Sequence, residues 1–520
     1  MRAGPIAFLF APLLLAGAAA PERVDLIIRG GTVYTGSTAP FVGDVALAGD
    51  RIRAVGPRLR HRAARVIDAR GMVVAPGFID PHAHLGPQLV SDDKHVRLIA
   101  AFLMQGVTTA FIGNDGGGDP DVAALLGSAA RKPVGINYAA FLGFGSVRSA
   151  VIGQADRAPT PGELDRMKSM VAKAMCQGAL GLSTGLFYAP QSFAATPEVT
   201  ALAREAGARG GVYDSHIRDE SSYTIGLAAA VEEAIAIGRE ARLPVNISHI
   251  KALGVDVHGQ APAIIARIEA ARAAGQRVTA DQYPWSASGT SLVAALVPGW
   301  AQDGGREALL RRFDDPALTT RLEAEMADNM RRRGGAASLL ITEGEHKGRT
   351  LDQIAKAWAD SDPVGTAIAV IRKHDPAVAS FNQTEEDIAT FMRRPWVMTG
   401  SDASTGHPRA YGSFARKYSE YVRARRVLSL REFIERSTSL TADTFGLANR
   451  GRLRPGAFSD IIVFDPNRYA ARATYAQPTL LAVGVRTVVV NGVVAVDNGR
   501  LTGNAAGRGL AHTPPAGTCP

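Results

Sequence analysis

The run GFIDPHAHLGP, Gly77 to Pro87, sets His82 and His84 one residue apart behind a short apolar segment. In an extended chain residues i and i+2 face the same way, so both imidazoles point to one side, where one metal ion can take both. A lone His-x-His also occurs by chance in loops, so the pair gains meaning only from its company. His216 ends the segment GVYDSH and His249 ends PVNISH, while Asp115 follows VTTAFIGN and Asp402 follows WVMTGS. Four of the 11 histidines and two carboxylates therefore stand at the ends of short apolar segments. Imidazole nitrogen with carboxylate oxygen is the donor set taken by zinc and other divalent ions. A metal so held polarises a carbonyl and acidifies a water, which is hydrolytic chemistry. The other histidines, His61, His95, His258, His346, His374, His407 and His512, follow no such rule. His258 and His407 stand in loops beside the expected site, within reach of a substrate.

The elements that must position these groups alternate. Candidate strands are Val74–Asp80, Val107–Gly113, Gly135–Leu142, Ala179–Thr184, Gly211–His216, Pro244–His249, Val278–Tyr283 and Trp396–Asp402, with helical patterns between most of them. That order predicts an α/β fold, a (β/α)8 barrel over residues 76–450, whose site gathers at the C-terminal ends of its strands. Short alternating strands precede the barrel (21–75) and follow it (451–503), which predicts one small β-sandwich built from both ends of the chain. The connection between Tyr283 and Trp396 is far longer than a barrel needs, and its polar, helix-rich part, about 297–342, reads as an inserted lid. The Gly/Pro-rich tail, 504–520, reads as flexible.

Composition narrows the function. With 520 residues, 46% hydrophobic and 21% charged, the chain suits a globular enzyme with a large core. The net charge of +9 lies in no long basic run with interleaved aromatics; Arg331-Arg332-Arg333 and Arg423 to Arg426 read as solvated helix faces, so nucleic acid is not an expected partner. Arg2, the apolar stretch Ile6 to Leu15 and the small-residue segment AGAAA form the three-part pattern of a secretory signal peptide over residues 1–20. It is too short to span a membrane, and a periplasmic or secreted mature protein is expected. Cys176 and Cys519 make no evident disulfide framework, and Cys176 reads as a small core residue.

The stretches PGFIDPHAHL, GVTTAFIGNDG, GALGLSTGLFYAP, SHIRDE, ISHIKALG, DQYPWSASGT, GSDASTGHPRAYGSFARKY and GRLRPGAFSDIIVFDP resemble the amidohydrolase superfamily, and within it the N-acyl-D-amino-acid deacylases. The resemblance runs from about Val24 to Arg500. It implies a hydrolase that uses one or two divalent ions, zinc above all, to cleave a small-molecule amide and release a D-amino acid. By the same likeness His216 and His249 hold one metal, His82 and His84 a second, and Asp402 shuttles the proton. Lys251, Tyr283 and Arg409 fall where the family grips the substrate carboxylate, a task suited to an ammonium and a guanidinium fork. Tyr188 belongs to the pocket wall. The chain departs from the family at Asp115, which stands where such deacylases often carry a cysteine ligand. Asp115 is accordingly taken as a metal ligand, a harder one than thiolate.

Rival chemistries have sequence support of their own. Gly181-Leu-Ser183-Thr-Gly185 fits the nucleophile elbow of serine hydrolases, but that elbow needs a helix next and TGLFYAPQSF has no helical period. A metal-dependent deaminase would use Glu220, four residues after His216, as proton shuttle. A cyclic-amide hydrolase would carry a lysine on the fourth strand, and GALGLSTGL has none.

Overall fold

The computed structural model describes residues 22–359 and 362–519. The expected signal peptide, residues 1–20, lies outside the described residues. Among those described, no helix is long and apolar enough to cross a membrane.

Eight short strands make the barrel: β1 (Phe78–Asp80), β2 (Val107–Ile112), β3 (Asn137–Ala140, resumed at Leu142–Gly143), β4 (Gly181–Gly185), β5 (Val212–His216), β6 (Val245–Ile247), β7 (Val278–Gln282) and β8 (Val397–Thr399). Each pairs in parallel with the next. Beyond the ends of β8 and β1, the Asp402 N–H donates to His82 O (2.9 Å) and the His84 N–H to Ala403 O (3.0 Å). The clasp of the barrel is therefore built from the candidate metal ligands themselves. Strands β2, β4 and β5 are buried at every residue, as parallel strands with helices outside and side chains inside must be. The helix Pro161–Cys176 shows how the outer layer is set. Thr160 and Glu163 close a capping box at its start, and Met167, Val171, Ala174 and Met175 turn one apolar face inward.

The first expected strand, Val74–Asp80, is two strands with different duties. Val73–Pro76 pairs antiparallel with Ile461–Phe464 in the outer sheet, whereas β1 joins the barrel. Gly77 separates them, and a Cβ there would overlap the Thr108 side chain. Strands from both chain ends form one nine-stranded sheet, so the two ends of the chain build one β-unit. Leu26, Ile28, Val45, Ile461, Val463 and Val489 pack in its apolar core.

The block inserted between β7 and β8 is larger than 297–342. Three antiparallel strands, Ala287–Ser291, Leu339–Ile341 and Ala377–Phe381, frame it, and Leu292, Leu309, Met326, Ile354 and Val378 share a core separate from that of the barrel. Its flanking strands, ASGTS and AVASF, are short and mostly small or polar, which hid them from hydrophobic patterning.

The C-terminal tail is a further correction. Instead of a flexible end it is a hydrogen-bonded strap, with Gly507 N–H donating to Val134 O, Tyr138 N–H to Arg508 O, Leu510 N–H to Tyr138 O and His512 N–H to Gly178 O. Its glycines serve close approach, since a Cβ on Gly507 would overlap Ile136 O and one on Gly509 would overlap Leu126 O. At the strap's end Cys519 is disulfide-bonded to Cys176 across 343 residues of sequence. Cys176 is thus a structural anchor and not a lone core thiol.

Candidate metal centre

The strand ends bring the six expected ligands to one place. His82 and His84 follow β1, Asp115 follows β2, His216 ends β5, His249 follows β6 and Asp402 follows β8. Their donor atoms form two groups, His82 with His84, Asp115 and Asp402, and Asp115 with His216 and His249, each lying within 4.8 Å. Asp115 is common to both. Its Oδ1 lies 3.4 Å from His82 Nε2, 3.4 Å from His249 Nε2 and 3.9 Å from His216 Nδ1, and its Oδ2 lies 3.4 Å from His84 Nε2. Asp402 Oδ1 sits 3.2 Å from His84 Nε2 and 3.7 Å from His82 Nε2.

The backbone here is held in costly conformations. Asp115 (φ 56°), His249 (φ 36°) and Asp402 (φ 48°) all occupy the left-handed region, which for such residues persists only where surroundings impose it. The impositions are visible. Ser183 Oγ donates to Gly113 O (2.5 Å) and accepts from Gly116 N–H (3.1 Å), and Gln191 Nε2 donates to Asp115 O (3.0 Å), clamping the Asp115 loop on both sides. Asp281 Oδ1 accepts the His249 N–H at 3.0 Å. Ser183 is therefore spent on backbone support beneath the site, and no helix follows it; the nucleophile-elbow geometry is missing.

Charges in the cage oppose one another. Burial disfavours the Asp115 carboxylate, yet His82 and His249 pull its pKa well below the usual carboxylate range. Burial likewise works against charged His84 and His249, but Asp115 with Asp402 holds the first up at about 9. Glu220 with Asp115, against Lys251, holds the second up at about 10. Burial keeps His216 down at about 4, and its Nδ1 lies 2.9 Å from His249 Nε2. His82 Nδ1, His82 Nε2 and Asp115 Oδ1 are buried with no hydrogen-bond partner among the described residues. Orphaned metal-donor atoms of this kind, brought together from the ends of β1 and β2, fit a divalent ion.

Beside the cage opens a cavity of about 330 Å³, lined by all four expected substrate residues, Tyr188, Lys251, Tyr283 and Arg409. Two cations lie near the Tyr283 ring, Lys251 Nζ 5.7 Å from its centre and Arg409 Cζ at 5.2 Å. Lys251 Nζ bonds Glu220 Oε1 (2.5 Å) and His249 Nδ1 (2.7 Å). Arg409 Nη1 meets Asp402 Oδ2 at 2.6 Å while Nη2 donates to Ser404 Oγ at 2.9 Å. The Tyr188 ring leans on His216 at 4.8 Å. His407 also lines the cavity; burial and Arg409 keep it neutral, and its Nδ1 accepts the Arg409 N–H at 3.1 Å. His258 does not reach the cavity, its Nε2 being bonded to Asn382 O. The inserted block supplies a wall of the cavity through Thr290, Arg333, Thr342 and Val378.

The sequence profile of the amidohydrolase family matches residues 65–496. The chain belongs to the amidohydrolase family. This amidohydrolase is 34% identical over 524 aligned residues to the D-aminoacylase of Alcaligenes xylosoxydans xylosoxydans, covering 95% of this chain and 98% of that one. Among solved structures it is similar to the N-acyl-D-glutamate deacylase of Bordetella bronchiseptica complexed with zinc and a phosphonate mimic of the tetrahedral intermediate. The TM-score is 0.80 at 32% identity, over 94% of this chain and 100% of that one. It is equally similar to a D-aminoacylase whose binuclear metal centre was studied for one-metal activation and second-metal attenuation (TM-score 0.80, 32% identity, 94% and 100% covered).

Sequence reading passed over a polar layer beneath the ligands of this amidohydrolase. Asn246 Nδ2 donates to Asp214 Oδ1 and to Asp281 Oδ2, both at 2.8 Å, and Asn114 Nδ2 donates to Asp214 Oδ2 at 2.9 Å. Asp80 Oδ1 accepts from His82 N–H (3.2 Å) and Ser401 N–H (3.0 Å). Burial pushes Asp80 up to about 7 and Asp214 up to about 6. A signal was there to find: Asp80 and His82, Asp214 and His216, and Asp281 and Tyr283 are each two residues apart, on the same inward face of their strands. Arg333 was also missed. It reads as part of a solvated helix face and is instead 2% exposed in the cavity wall.

Proposed function

We propose that this amidohydrolase cleaves the amide of N-acyl-D-amino acids, releasing a carboxylate and a free D-amino acid. Its relatives support the reaction and the D configuration; the observation that carries the assignment here is Asp402. One oxygen of this carboxylate faces His84 in the cage (3.2 Å) and the other faces Arg409 in the substrate cavity (2.6 Å), so it stands between metal site and substrate.

His216 and His249 would hold one ion, His82 and His84 a second, with Asp115 shared between the groups and Asp402 at the second. Zinc is the ion favoured by the nitrogen-rich donor set and by the zinc bound in the Bordetella relative. When bound, a divalent ion supplies Lewis acidity toward an acyl carbonyl and a water. The remaining work falls to the chain's own groups. Lys251 and Arg409 take the α-carboxylate, with the Tyr283 ring near both. Asp402 accepts a proton as water adds to the acyl carbon, then returns it to the amide nitrogen as the C–N bond breaks. Arg409 pairs with Asp402 and overcomes the effect of burial, holding its pKa well below the usual carboxylate range, so the base is ionised at every working pH. Glu220 serves as counter-ion to Lys251 and is not a free proton shuttle, which weighs against a deaminase.

We also propose that the protein is exported. The apolar segment Ile6–Leu15 and the Cys176–Cys519 disulfide support an oxidising compartment. N-terminal sequencing of protein from the cell envelope should start after Ala18 or Ala20; an intact Met1 would exclude cleavage.

The test of the activity is a panel of N-acetylated D- and L-amino acids offered to metal-loaded protein. Turnover confined to the D series with release of acetate is expected, and hydrolysis of L substrates alone, or of none, would contradict the proposal.

A further inference from the structure

Three cations line the cavity: Lys251, Arg333 and Arg409. Lys251 has Glu220 as its carboxylate and Arg409 has Asp402. Arg333 has no carboxylate partner among the described residues. It follows the helix Pro316–Arg332 of the inserted block, where the helix C-terminus favours a positive charge. Its Nε donates to Ala295 O at 3.0 Å, which fixes the guanidinium. Its Nη1 is buried with no hydrogen-bond partner among the described residues, and the same holds for the hydroxyl of Tyr223. The guanidinium carbon lies 5.6 Å from the centre of the Tyr223 ring. That ring is 5.3 Å from Phe187, whose ring is 5.9 Å from His216, so one aromatic layer separates this corner from the cage. The neighbouring Arg332 differs, since its Nη2 is paired with Asp328 at 2.6 Å.

A buried guanidinium with a free N–H is costly unless something completes it. Helix packing alone does not demand a charge here, because the C-terminal carbonyls of the helix can be met by neutral donors or by water. The planar fork of Arg333, with the Tyr223 ring 5.6 Å from its guanidinium carbon, fits a carboxylate. We infer that Arg333 and Tyr223 form a second anion subsite, which recognises a carboxylate on the substrate other than the α-carboxylate. This deepens the deacylase reading and rests on it. Two parts of an N-acyl-D-amino acid can bring that charge: an acidic side chain, as in D-glutamate or D-aspartate, or the far end of a dicarboxylic acyl group. The chemistry recognised is the same.

Matched substrate pairs separate the cases. N-acetyl-D-glutamate against N-acetyl-D-glutamine changes only the charge of the side chain, and N-succinyl-D-leucine against N-succinamoyl-D-leucine only that of the acyl end. Metal-loaded wild type should favour the charged member of one pair by about tenfold to a hundredfold in kcat/KM, the range of a charge-assisted hydrogen bond; the pair that responds identifies which end is read. Arg333→Gln should bring that ratio to within about threefold, Arg333→Lys should retain part of it and Tyr223→Phe should lower it. Because each ratio compares two substrates of one variant, partial misfolding cancels. Equal use of both members of both pairs by the wild type, or an unchanged ratio in Arg333→Gln, overturns the subsite while leaving the deacylase reading intact. Failure to turn over all four substrates overturns both.

Discussion

Replacing Asp402 by Asn tests the proton path with least disturbance of shape. The Oδ1 position, 3.2 Å from His84 Nε2, can still accept or ligate. The amide nitrogen then replaces the oxygen that meets Arg409 Nη1 at 2.6 Å, so a donor faces the guanidinium where an ion pair stood. Breaking a buried ion pair by neutralising one partner costs about 3–5 kcal/mol, and that loss falls on local order. The catalytic loss is separate, because a positioned base contributes about 10²–10⁴ in rate, equivalent to roughly 3–5 kcal/mol of barrier. Arg409 keeps its charge and loses its competitor, so KM should not rise while kcat falls. The assay is steady-state hydrolysis of an N-acetyl-D-amino acid, with metal content measured on the same sample and the melting temperature as a control for folding. A variant with full metal and a kcat within about threefold of wild type would show that Asp402 is not the base.

Asp115→Ala should shed metal by at least about tenfold in affinity, and Asp115→Cys should retain it because thiolate also suits zinc; elemental analysis of both decides, and full metal in the alanine variant would remove Asp115 from the ligands. Arg409→Lys should cut kcat/KM for a free-acid substrate by about tenfold to a hundredfold, since a point charge cannot replace the fork; an equal effect on the α-amide of that substrate would contradict carboxylate recognition. In the metal-free protein His84 and His249 are held up at about 9 and about 10, above the usual value of about 6.5. Metal must displace those protons, so its affinity should climb with pH to about 9–10 and its uptake should release acid; a plateau by pH 7 without proton release would be contrary. The same raised values stabilise the metal-free fold below about pH 6.5, and that contribution is lost as pH rises through about 9–10, so its melting temperature should fall over that window.

The barrel was legible because parallel strands are buried on both faces and chemistry sits at their ends. Segments as short as VYDSH and VNISH combine a strand with the residue that follows from it. The Asp115 loop and the His-x-His pair could be located the same way. What was hidden has physical causes. The tail glycines resemble a flexible end in composition, while their use in close backbone approach depends on what they approach, Ile136 and Leu126. The pairing of Cys176 with Cys519 is set by a strap that no local pattern announces. Arg333 looks solvated within Arg331-Arg332-Arg333, and only the packing of the inserted block turns it inward. The polar layer of Asp80, Asp214 and Asp281 was within reach, since each stands two residues before a residue that lines the site.

In the proposed mechanism turnover depends on a divalent ion in the cage of His82, His84, Asp115, His216, His249 and Asp402. The direct measurement is hydrolysis of an N-acetyl-D-amino acid by protein stripped with a tight chelator, then titrated with zinc while bound metal is counted. The stripped protein should show no turnover, activity should recover in step with bound zinc, and no acyl group should be trapped on Ser183 at any stage. Full activity at zero bound metal, or an acyl-Ser183 adduct, would contradict that mechanism.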